Sequence, residues 1–508
     1  MKDRMGAIAY HDRTKHTPES VRAGPGLDFD NKPRPFTVYE GVETIPLDDH
    51  IVDPELPALR ALGDTQVTGE PADIETLASV CYFAAGVTKE WELGNRRVQF
   101  RAAACTGNLH HIDVYPVCGE LDGLDAGVYH FDPRENSLDV LRRGEYRGFL
   151  ANATGSPRVA AAPITLILTS TWWRNAWKYS ERTFRHAFWD SGTMIGNLLA
   201  TARASNVPAE IVMGFADRPI ASLVDVDPTW EAPLELVTIG RTDEMPPATG
   251  PDTVSPIDPA RAPLKSDPVD YPTIWRAWEA GEIPDGDSAA VWRNAGPRPV
   301  DGREAGDGPL FQLEPVDVER ESARPLADTI RRRGSCREYE RTTVSDRKLA
   351  TVLDRAFRPL PLDARDPDVR AVLQFVDCYA VINDVADIPA GTYQFHPDRS
   401  TLEQLATRID RPRAGHLALD QRLGADAAVC LYFMADLEAI TAALGERGYR
   451  VAQLEAAATA GRLYLATYAH RDLGGTGLTF YDDEVTAAFE PRAADQTPMF
   501  LYTIGRPA

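Results

Sequence analysis

The order of apolar and polar residues predicts helices and strands of both kinds in each half of the chain. Apolar runs of strand length lie at 164–169 and 427–433, and a helical pattern covers 447–470. Small residues inside that helix, such as Ala457 and Gly461, permit close packing against a second helix. Each half contains a helix, a hairpin, a strand, a long helix and a last strand, which predicts an α+β fold.

The two halves repeat each other at a nearly constant spacing. The repeated segments are AGVYHFDPRENSL from Ala126 and AGTYQFHPDRSTL from Ala390, ERTFR from Glu181 and ERGYR from Glu446, and TIGR from Thr238 and again from Thr503. Self-similarity at a fixed spacing defines the architecture before any single motif does. The sequence therefore predicts two diverged copies of one domain.

The repeat divides the chain into a first copy over 1–241, a linker over 242–324 and a second copy over 325–508. Pro, Asp, Gly and Ala dominate the linker, which is typical of a connecting segment. Within it, Ile274, Trp275 and Trp278 have helical spacing and predict one docked helix, which would serve as a surface staple without a function of its own. A length of 508 residues with 43% hydrophobic content is enough for more than one core.

The charge balance excludes several classes of function. A formal net charge of -22 repels nucleic-acid phosphates and anionic membrane surfaces, so neither is an expected partner. No apolar run reaches the roughly 20 residues of a spanning helix, and the first ten residues lack the apolar stretch of a signal peptide. These features predict a cytoplasmic protein.

The cysteines do not form a recognisable site. None of the 6 cysteines has C-x-x-C spacing, so we expect no metal site and no disulfide framework. Small buried thiols are the expected role for most of them.

A set of motifs resembles the flavin nitroreductase superfamily, specifically its SagB-type or thiazoline-oxidase-like dehydrogenase branch. The motifs are YHDRTKH, PGLDF, NKPRPF, RAAACTGNLHHIDVY, AWKYSERTFRH, RRRGSCREY, RDLGGTGLTFYDDEV and TIGRP. The resemblance covers nearly the whole chain. It implies that two α+β copies pair with flavin mononucleotide (FMN) at their interface, here as an intramolecular pseudo-dimer. Whether the fused chains dimerise further stays open.

One motif has the composition of a phosphate site. Arg333 and Arg337 supply guanidinium groups and Ser335 a hydroxyl, shortly before a helix predicted at 345–357. A charged surface turn is the alternative reading. The resemblance implies that these residues bind the FMN phosphate and that the terminal Gly505 and Arg506 add a second cation.

A glycine-rich segment, Gly474, Gly475, Thr476 and Gly477, follows a helix and precedes a strand. This order is the reverse of a dinucleotide-binding Rossmann motif, which excludes that interpretation. The resemblance implies a loop whose backbone N–H groups face the flavin ring, where a side chain would block approach. A helix C-cap followed by a turn remains an alternative.

Copy one carries a different half of the predicted site. Cys105, Thr106 and Asn108 stand where the family has polar residues that reach flavin across the interface. Cys105 could also be interpreted as a redox thiol, but a small residue in the place of serine is the favoured interpretation. His110 and His111, which follow, have either a structural role or a place in the substrate pocket.

Comparison of the two copies indicates that each lacks what the other retains. At the repeat spacing, Asn108 corresponds to Val372 and Thr106 to Arg370, so copy two lacks the interface motif. Copy one lacks the arginine–serine–arginine motif at the corresponding segment 63–73. This complementary loss predicts one composite flavin site and a degenerate second one.

Lys178 and Tyr179 match a pair that the azoline-oxidising branch places near the flavin. An amine beside a phenol suits proton removal during hydride transfer, and the alternative is a solvated helix end. We expect two-electron oxidation or reduction of a small-molecule or peptide substrate through FMN. The alternatives are a nitro or quinone reductase that uses NAD(P)H as co-substrate, a flavin-binding pseudoenzyme and a structural tandem protein without flavin.

Overall fold

Two antiparallel sheets, one in each half of the chain, form the frame of the computed structural model. It describes residues 5–22, 26–63, 67, 69–93, 96–249, 254–257, 261–264, 266–295, 306–317, 322–369, 371–405 and 408–508. The strands are β1 (Thr44–Pro46), β2 (Val87–Leu93), β3 (Arg96–Arg101), β4 (Ile112–Cys118), β5 (Gly127–Asp132), β6 (Ser137–Arg143), β7 (Ile164–Thr171), β8 (Ala209–Val212), β9 (Glu231–Ile239), β10 (Leu310–Gln312), β11 (Tyr339–Glu340), β12 (Asp377–Ile382), β13 (Gly391–His396), β14 (Thr401–Gln404), β15 (Val429–Ala435), β16 (Gly474–Leu478) and β17 (Thr497–Pro507).

Helices cover both sheets and separate them. They are α1 (Ala7–Arg13), α2 (Pro18–Arg22), α3 (Ala58–Ala61), α4 (Ile74–Ala85), α5 (Arg147–Thr154), α6 (Pro157–Ala160), α7 (Trp172–Tyr179), α8 (Thr183–Ala204), α9 (Asp217–Leu223), α10 (Pro272–Ala280), α11 (Gly286–Asn294), α12 (Leu326–Arg332), α13 (Asp346–Ala356), α14 (Arg411–Leu417), α15 (Arg422–Asp426), α16 (Leu437–Leu444), α17 (Gly448–Ala469) and α18 (Asp482–Ala488). None of the described helices is long and apolar enough to cross a membrane.

The two sheets have the same strand order, as the sequence repeat predicts. The first runs β1-β6-β5-β4-β7-β9-β8 and the second β10-β14-β13-β12-β15-β17, with β16 and β11 both paired to β17. Strand β10 already belongs to the second sheet, although the sequence analysis placed 310–312 in the linker. The predicted α+β fold with duplicated domains is confirmed.

The long helices α8 and α17 cross at small residues. A Cβ added to Gly196 would lie 2.7 Å from the carbonyl carbon of Gly461, and one added to Gly192 would lie 2.5 Å from Ala457 Cβ. Gly196 and Gly461 are equivalent residues of the two copies, so the helices cross on the pseudo-twofold axis. The backbones come this close because the crossing point has no side chains.

Two equivalent buried ion triads hold the copies together. Each consists of one aspartate of one copy and two arginines of the other: Asp482 with Arg182 (3.2 Å) and Arg185 (2.6 Å), and Asp217 with Arg447 (2.7 Å) and Arg450 (2.7 Å). All six side chains are at most 3% exposed. The contact is therefore self-complementary in the manner of a twofold homodimer interface.

The N-terminal arm and the predicted linker have equivalent roles. The N–H of His16 donates to Asp482 Oδ2 at 2.8 Å, and the N–H of Ile283 donates to Asp217 Oδ2 at 2.8 Å. The linker segment thus seals the second triad as the arm seals the first. The sequence predicted one helix in 242–324, whereas the structure has two, α10 and α11. The second was not predicted because it begins in a segment rich in Pro, Gly and Asp, which is typical of a loop.

Candidate functional site

The predicted phosphate motif lies in a loop that joins the two copies. Its N–H at Cys336 donates to the carbonyl of Gly475 in β16 at 3.1 Å. The buried Arg333 donates from Nε to the carbonyl of Ala102 and from Nη2 to that of Arg101, both at 3.0 Å. In return, Lys89 Nζ of copy one donates to the carbonyl of Arg333 at 2.9 Å. The motif of copy two is therefore anchored on copy one.

The rest of the motif is more accessible. Ser335 is half-buried and Arg337 is exposed. Arg337 makes no ion pair with the described residues, and its charge acts on both Lys178 and Tyr179 of copy one. Of the predicted phosphate residues, Arg337 is thus near enough to act electrostatically on the predicted catalytic pair.

The glycine-rich segment is a strand and not the predicted loop or turn. Gly474–Leu478 forms β16, antiparallel to β17, and the preceding helix already ends at Ala469. A Cβ at Gly475 would overlap the Tyr502 hydroxyl, and one at Gly477 would lie 3.0 Å from the Phe500 ring. Packing over aromatic rings of the neighbouring strand therefore requires these glycines, which the local sequence does not reveal. Thr476 is buried in the same strand.

The terminal glycine–arginine pair lies at the edge of the same sheet. A Cβ at Gly505 would approach the ring of Tyr339 to 2.7 Å, so glycine lets that ring pack on β17. Arg506 Nε lies 3.3 Å from Glu340 Oε2, and both side chains are exposed. Arg506 is thus an accessible cation with an exposed carboxylate beside it.

A single carboxylate holds the start of the interface motif of copy one, Cys105, Thr106 and Asn108, which forms one wall of the candidate site. Asp190 of α8 accepts hydrogen bonds from the N–H and hydroxyl of Thr106, at 2.9 Å and 2.8 Å, and lies 3.0 Å from Cys105 Sγ. His111 Nε2 lies 2.9 Å from the same carboxylate. Burial and Asp190 raise the pKa of the Cys105 thiol well above its usual range, so it is neutral and not a reactive thiolate. None of the six cysteines forms a disulfide.

Asn108 fixes the next part of the wall. Its Nδ2 donates to the carbonyl of Gln99 at 3.1 Å, and its Oδ1 lies 2.9 Å from His110 Nε2. Gly107 has φ 61°, and a Cβ there would lie 2.9 Å from the Tyr179 hydroxyl. The wall motif and Tyr179 are therefore in direct contact. His110 and His111 are both buried.

The environment sets the protonation of the candidate catalytic pair. Burial and Asp190 raise the pKa of Tyr179 above its usual range, so the phenol stays protonated and can donate. Burial, Lys32 and Arg337 lower the pKa of Lys178, which makes its amine easier to deprotonate. Lys178 Nζ lies 5.0 Å from the centroid of the Tyr179 ring.

The pseudo-twofold axis relates this site to a second position, which is built differently. A cavity of about 600 Å³ lies there, lined by residues that include Ala209, Gly240, Arg241 and Val369, counterparts of Gly474, Gly505, Arg506 and Cys105. Copy two covers the edge of β8, since Ile211 N donates to the carbonyl of Pro361 at 2.7 Å. Asp363 accepts from the N–H groups of Met213 and Gly214 at 2.7 Å and 3.1 Å. Arg370, the predicted counterpart of Thr106, lies outside the described residues.

Sequence reasoning missed the residues that position this site. Asp190, Asn175 and Lys89 hold the wall and the loop, but each lies in an element with many other polar residues. A comparison at the repeat spacing could have found Asp190, because its counterpart Glu455 also accepts backbone N–H groups, from Gln374 and Phe375.

Comparisons with known proteins agree with the fold. No protein-family model matches the chain. A crystal structure of a putative nitroreductase from Anabaena variabilis superposes over 99% of both chains with a TM-score of 0.75 at 23% identity. A putative nitroreductase of Methanocaldococcus jannaschii is 26% identical over 175 residues, 34% of this chain and 83% of that protein. The nitroreductase resemblance is confirmed, and the chain has the nitroreductase fold.

A second curated protein is also similar to part of the chain. The trifolitoxin-processing protein TfxB of Rhizobium leguminosarum bv. trifolii is 24% identical over 147 residues, 28% of this chain. The match spans 39% of the length of TfxB.

Proposed function

We propose that this chain, with its nitroreductase fold, is an FMN-dependent oxidoreductase that transfers two electrons as hydride to or from an organic substrate at one composite site. The observation that carries the proposal is the position of the loop 333–337. This loop belongs to copy two, but Arg333 bonds it to the carbonyls of Arg101 and Ala102 in copy one. Predicted residues of both copies meet there. A site built from residues of both copies requires the duplicated domain.

The residues at the loop fit a flavin phosphate. A Cβ at Gly334 would meet only the Tyr468 hydroxyl, at 3.9 Å, so there is open space beside the loop. Arg337 and the Ser335 hydroxyl supply the donors that a phosphate dianion requires, and Arg506 adds a cation at the sheet edge. Two donors of Arg333 already bond to the carbonyls of Arg101 and Ala102, so its main contribution is to position the loop.

FMN would supply the redox chemistry, by accepting or donating a hydride at its ring. The chain contributes orientation and proton control. The protonated phenol of Tyr179 can donate a hydrogen bond to a substrate oxygen or nitrogen, and the amine of Lys178 can take up a proton as the substrate is oxidised. The wall of Thr106 and Asn108, fixed by Asp190 and Gln99, closes the site from copy one.

The substrate class and branch belong to the same proposal. Lys178 and Tyr179 support a SagB-type dehydrogenase, and the name of the trifolitoxin-processing relative supports a peptide substrate. Reduction of nitro compounds or quinones with NAD(P)H is the alternative. Rapid bleaching of the flavin spectrum by NAD(P)H without any peptide would favour that alternative.

The test is the visible spectrum of the purified protein, with the released cofactor identified and counted per chain. We expect one FMN, because the equivalent edge of β8 is covered by 361–363. Two FMN per chain would refute the composite site, and no flavin would refute the proposed function.

Three arginine variants locate the site. Arg506→Ala and Arg337→Ala should weaken FMN binding by roughly tenfold or more, since a charge-assisted hydrogen bond contributes about 1.5–3 kcal/mol. Arg241→Ala, at the equivalent position of the TIGR repeat, should leave FMN binding unchanged. A loss in Arg241→Ala as large as that in Arg506→Ala would place flavin at the other position.

A further inference from the structure

Behind the candidate site, a chain of hydrogen bonds runs from the carboxylate of Asp190 to the ring of His186. A carboxylate can only accept, so the hydroxyl of Thr106 donates to Asp190 at 2.8 Å. The Thr106 oxygen therefore accepts from Asn175, whose Nδ2 lies 2.6 Å away. The amide nitrogen of Asn175 thus faces the wall, and its Oδ1 faces α8.

The orientation of Asn175 determines the tautomer of His186. Its Oδ1 accepts the hydroxyl proton of Thr183 at 3.1 Å and lies 2.9 Å from His186 Nδ1. An amide oxygen cannot donate, so His186 carries its proton on Nδ1 and Nε2 is left as an acceptor. Burial and Arg182 lower the pKa of His186 well below its usual range, so the ring is neutral. All three bonded side chains are at most 2% exposed.

The ring of Tyr179 packs against His186. The two ring centroids are 4.6 Å apart and the ring planes are nearly perpendicular, at 88°. Gly107 also contacts this side chain, since a Cβ there would lie 2.9 Å from the phenol oxygen. The Tyr179 hydroxyl makes no hydrogen bond with any residue that the structure describes. Packing therefore confines the ring while the hydroxyl remains available to a ligand.

Copy two lacks this chain of hydrogen bonds although it has the same fold. At the spacing that relates Arg182 to Arg447, the counterparts are buried apolar residues: Ile440 for Asn175, Leu444 for Tyr179 and Val451 for His186. Apolar packing thus builds the same pair of helices in copy two. Buried polar groups are costly unless all are satisfied, so the fold alone gives no reason to keep them in copy one. They occur in the copy that carries the candidate catalytic pair.

We infer that Asn175 and His186 are positioning residues that hold the Tyr179 phenol in the orientation from which it donates to a substrate. This inference rests on the proposed function, in which Tyr179 donates that hydrogen bond. Because Asn175 also bonds to Thr106, the wall and the phenol are fixed relative to each other. A donor that is oriented before the substrate arrives loses little conformational freedom on binding.

Nitrogen-15 NMR of the histidine-labelled protein tests the first step of this chain. His186 is identified among the 10 histidines as the signal that is missing in His186→Gln. We expect a neutral ring with its proton on Nδ1 at pH 7, and exchange between the two tautomers in Asn175→Ile, which takes the residue of copy two. A proton on Nε2, a charged ring, or an unchanged tautomer in Asn175→Ile would overturn the inference.

Fluorine NMR of the protein containing 3-fluorotyrosine tests the second step. The Tyr179 signal is the one missing in Tyr179→Phe. We expect two signals in the wild type, one for each orientation of a ring that flips slowly, and one averaged signal in His186→Val. Asn175→Ile should have the same effect through His186.

The control for this experiment is His416→Val, which removes a histidine beside Tyr481 and should leave the Tyr179 signals unchanged. Urea unfolding checks that each variant is folded. A single averaged Tyr179 signal in the wild type, or two signals in both His186→Val and Asn175→Ile, would overturn the inference.

The outcomes separate this inference from the proposed function, because both NMR experiments can be read with or without bound flavin. A protein that binds FMN but has a freely flipping Tyr179 ring refutes only the inference. A protein with a fixed Tyr179 ring that takes up no flavin refutes the proposed function.

Discussion

At the scale of single residues, buried carboxylates decide how the candidate site is built. Asp190 collects donors from Cys105, Thr106 and His111, and all of them lie in the wall of copy one. The group is 5% exposed, so these bonds are shielded from water. Charge-assisted hydrogen bonds in a water-excluded region are the strong ones. The position of the wall therefore depends on one carboxylate.

Asp190→Asn should lower the free energy of unfolding by about 3 kcal/mol, because buried donors lose a charged acceptor. It should also weaken FMN binding by about tenfold, since Thr106 is no longer held. Chemical denaturation and fluorescence titration of FMN measure the two effects. Glu455→Gln is the control, because it removes the equivalent anchor of copy two and should destabilise without altering FMN affinity. Equal FMN affinity in both variants would show that the wall does not contribute to FMN binding.

Glu235 gives a pH-dependent prediction. Burial raises the pKa of this buried carboxyl group to about 8, and Ser191 and Arg450 only partly oppose that effect. A carboxyl group whose pKa is raised on folding stabilises fully below its unfolded pKa of about 4.3, and that stability is lost as pH rises toward 8.

Glu235→Gln should remove this loss, which has a slope of about 1.4 kcal/mol per pH unit. Urea unfolding at pH 5 and pH 7.5 measures it, with the exposed Glu244→Gln as the control. The same pH dependence in wild type and Glu235→Gln would show that Glu235 is charged in the folded protein.

At the scale of elements, the crossing of α8 and α17 sets the spacing of the two copies. The Gly196 and Gly461 backbones touch there, and Asp190, which holds the wall of the site, belongs to α8. Because the helices meet at backbone atoms, no side chain can move aside to accept a larger residue.

Gly196→Ala should therefore cost about 1–3 kcal/mol of stability and weaken FMN binding, since the added Cβ forces the helices apart. Thermal denaturation and FMN titration measure the two effects. Gly26→Ala is the control, because a Cβ at Gly26 meets nothing within 4 Å. A Gly196→Ala protein as stable as the control would show that the crossing can relax.

The elements were easier to predict than their contacts. The strand predicted at 164–169 is Ile164–Thr171, and the long helix predicted at 447–470 is Gly448–Ala469, because hydrophobic periodicity reports local structure directly. The glycine-rich segment was placed in a loop because its role depends on Tyr502 and Phe500 of a neighbouring strand. Asp190 was missed for the same reason, since its partners lie about 80 residues away.

At the scale of the whole molecule, the fused copies keep the interface of a symmetric dimer while their sites diverge. The triads of Asp217 and Asp482 are equivalent in every partner, and α1 and α10 lie at equivalent places. The site loop and wall are not equivalent, because each survives in one copy. Interface contacts are needed twice for the pairing to hold, whereas the single flavin site that we propose needs only one set of ligands.

This reasoning predicts that both triads stabilise the pairing, and the Asp482 triad also gives a prediction for acid. Although burial raises it, Arg182 and Arg185 hold the pKa of Asp482 well below its usual range. A depressed pKa gives stability that is complete above the unfolded value of about 3.9 and is lost as pH falls below it. Asp482→Asn should cost about 3–5 kcal/mol at pH 7, since two buried guanidinium groups lose their partner, and should flatten the acid limb of the stability curve.

Asp217→Asn should cost a similar amount at pH 7, and the two losses should add because the triads share no residue. Urea unfolding from pH 3 to pH 7 measures both quantities. The neighbouring Asp483→Asn is the control, since its side chain is 70% exposed and its bond to Lys15 should contribute less than about 1 kcal/mol. If Asp482→Asn is no more harmful than Asp483→Asn, the copies are held by the helix crossing and not by the triads, and widening that crossing in Gly196→Ala becomes the decisive perturbation of the proposed flavin site.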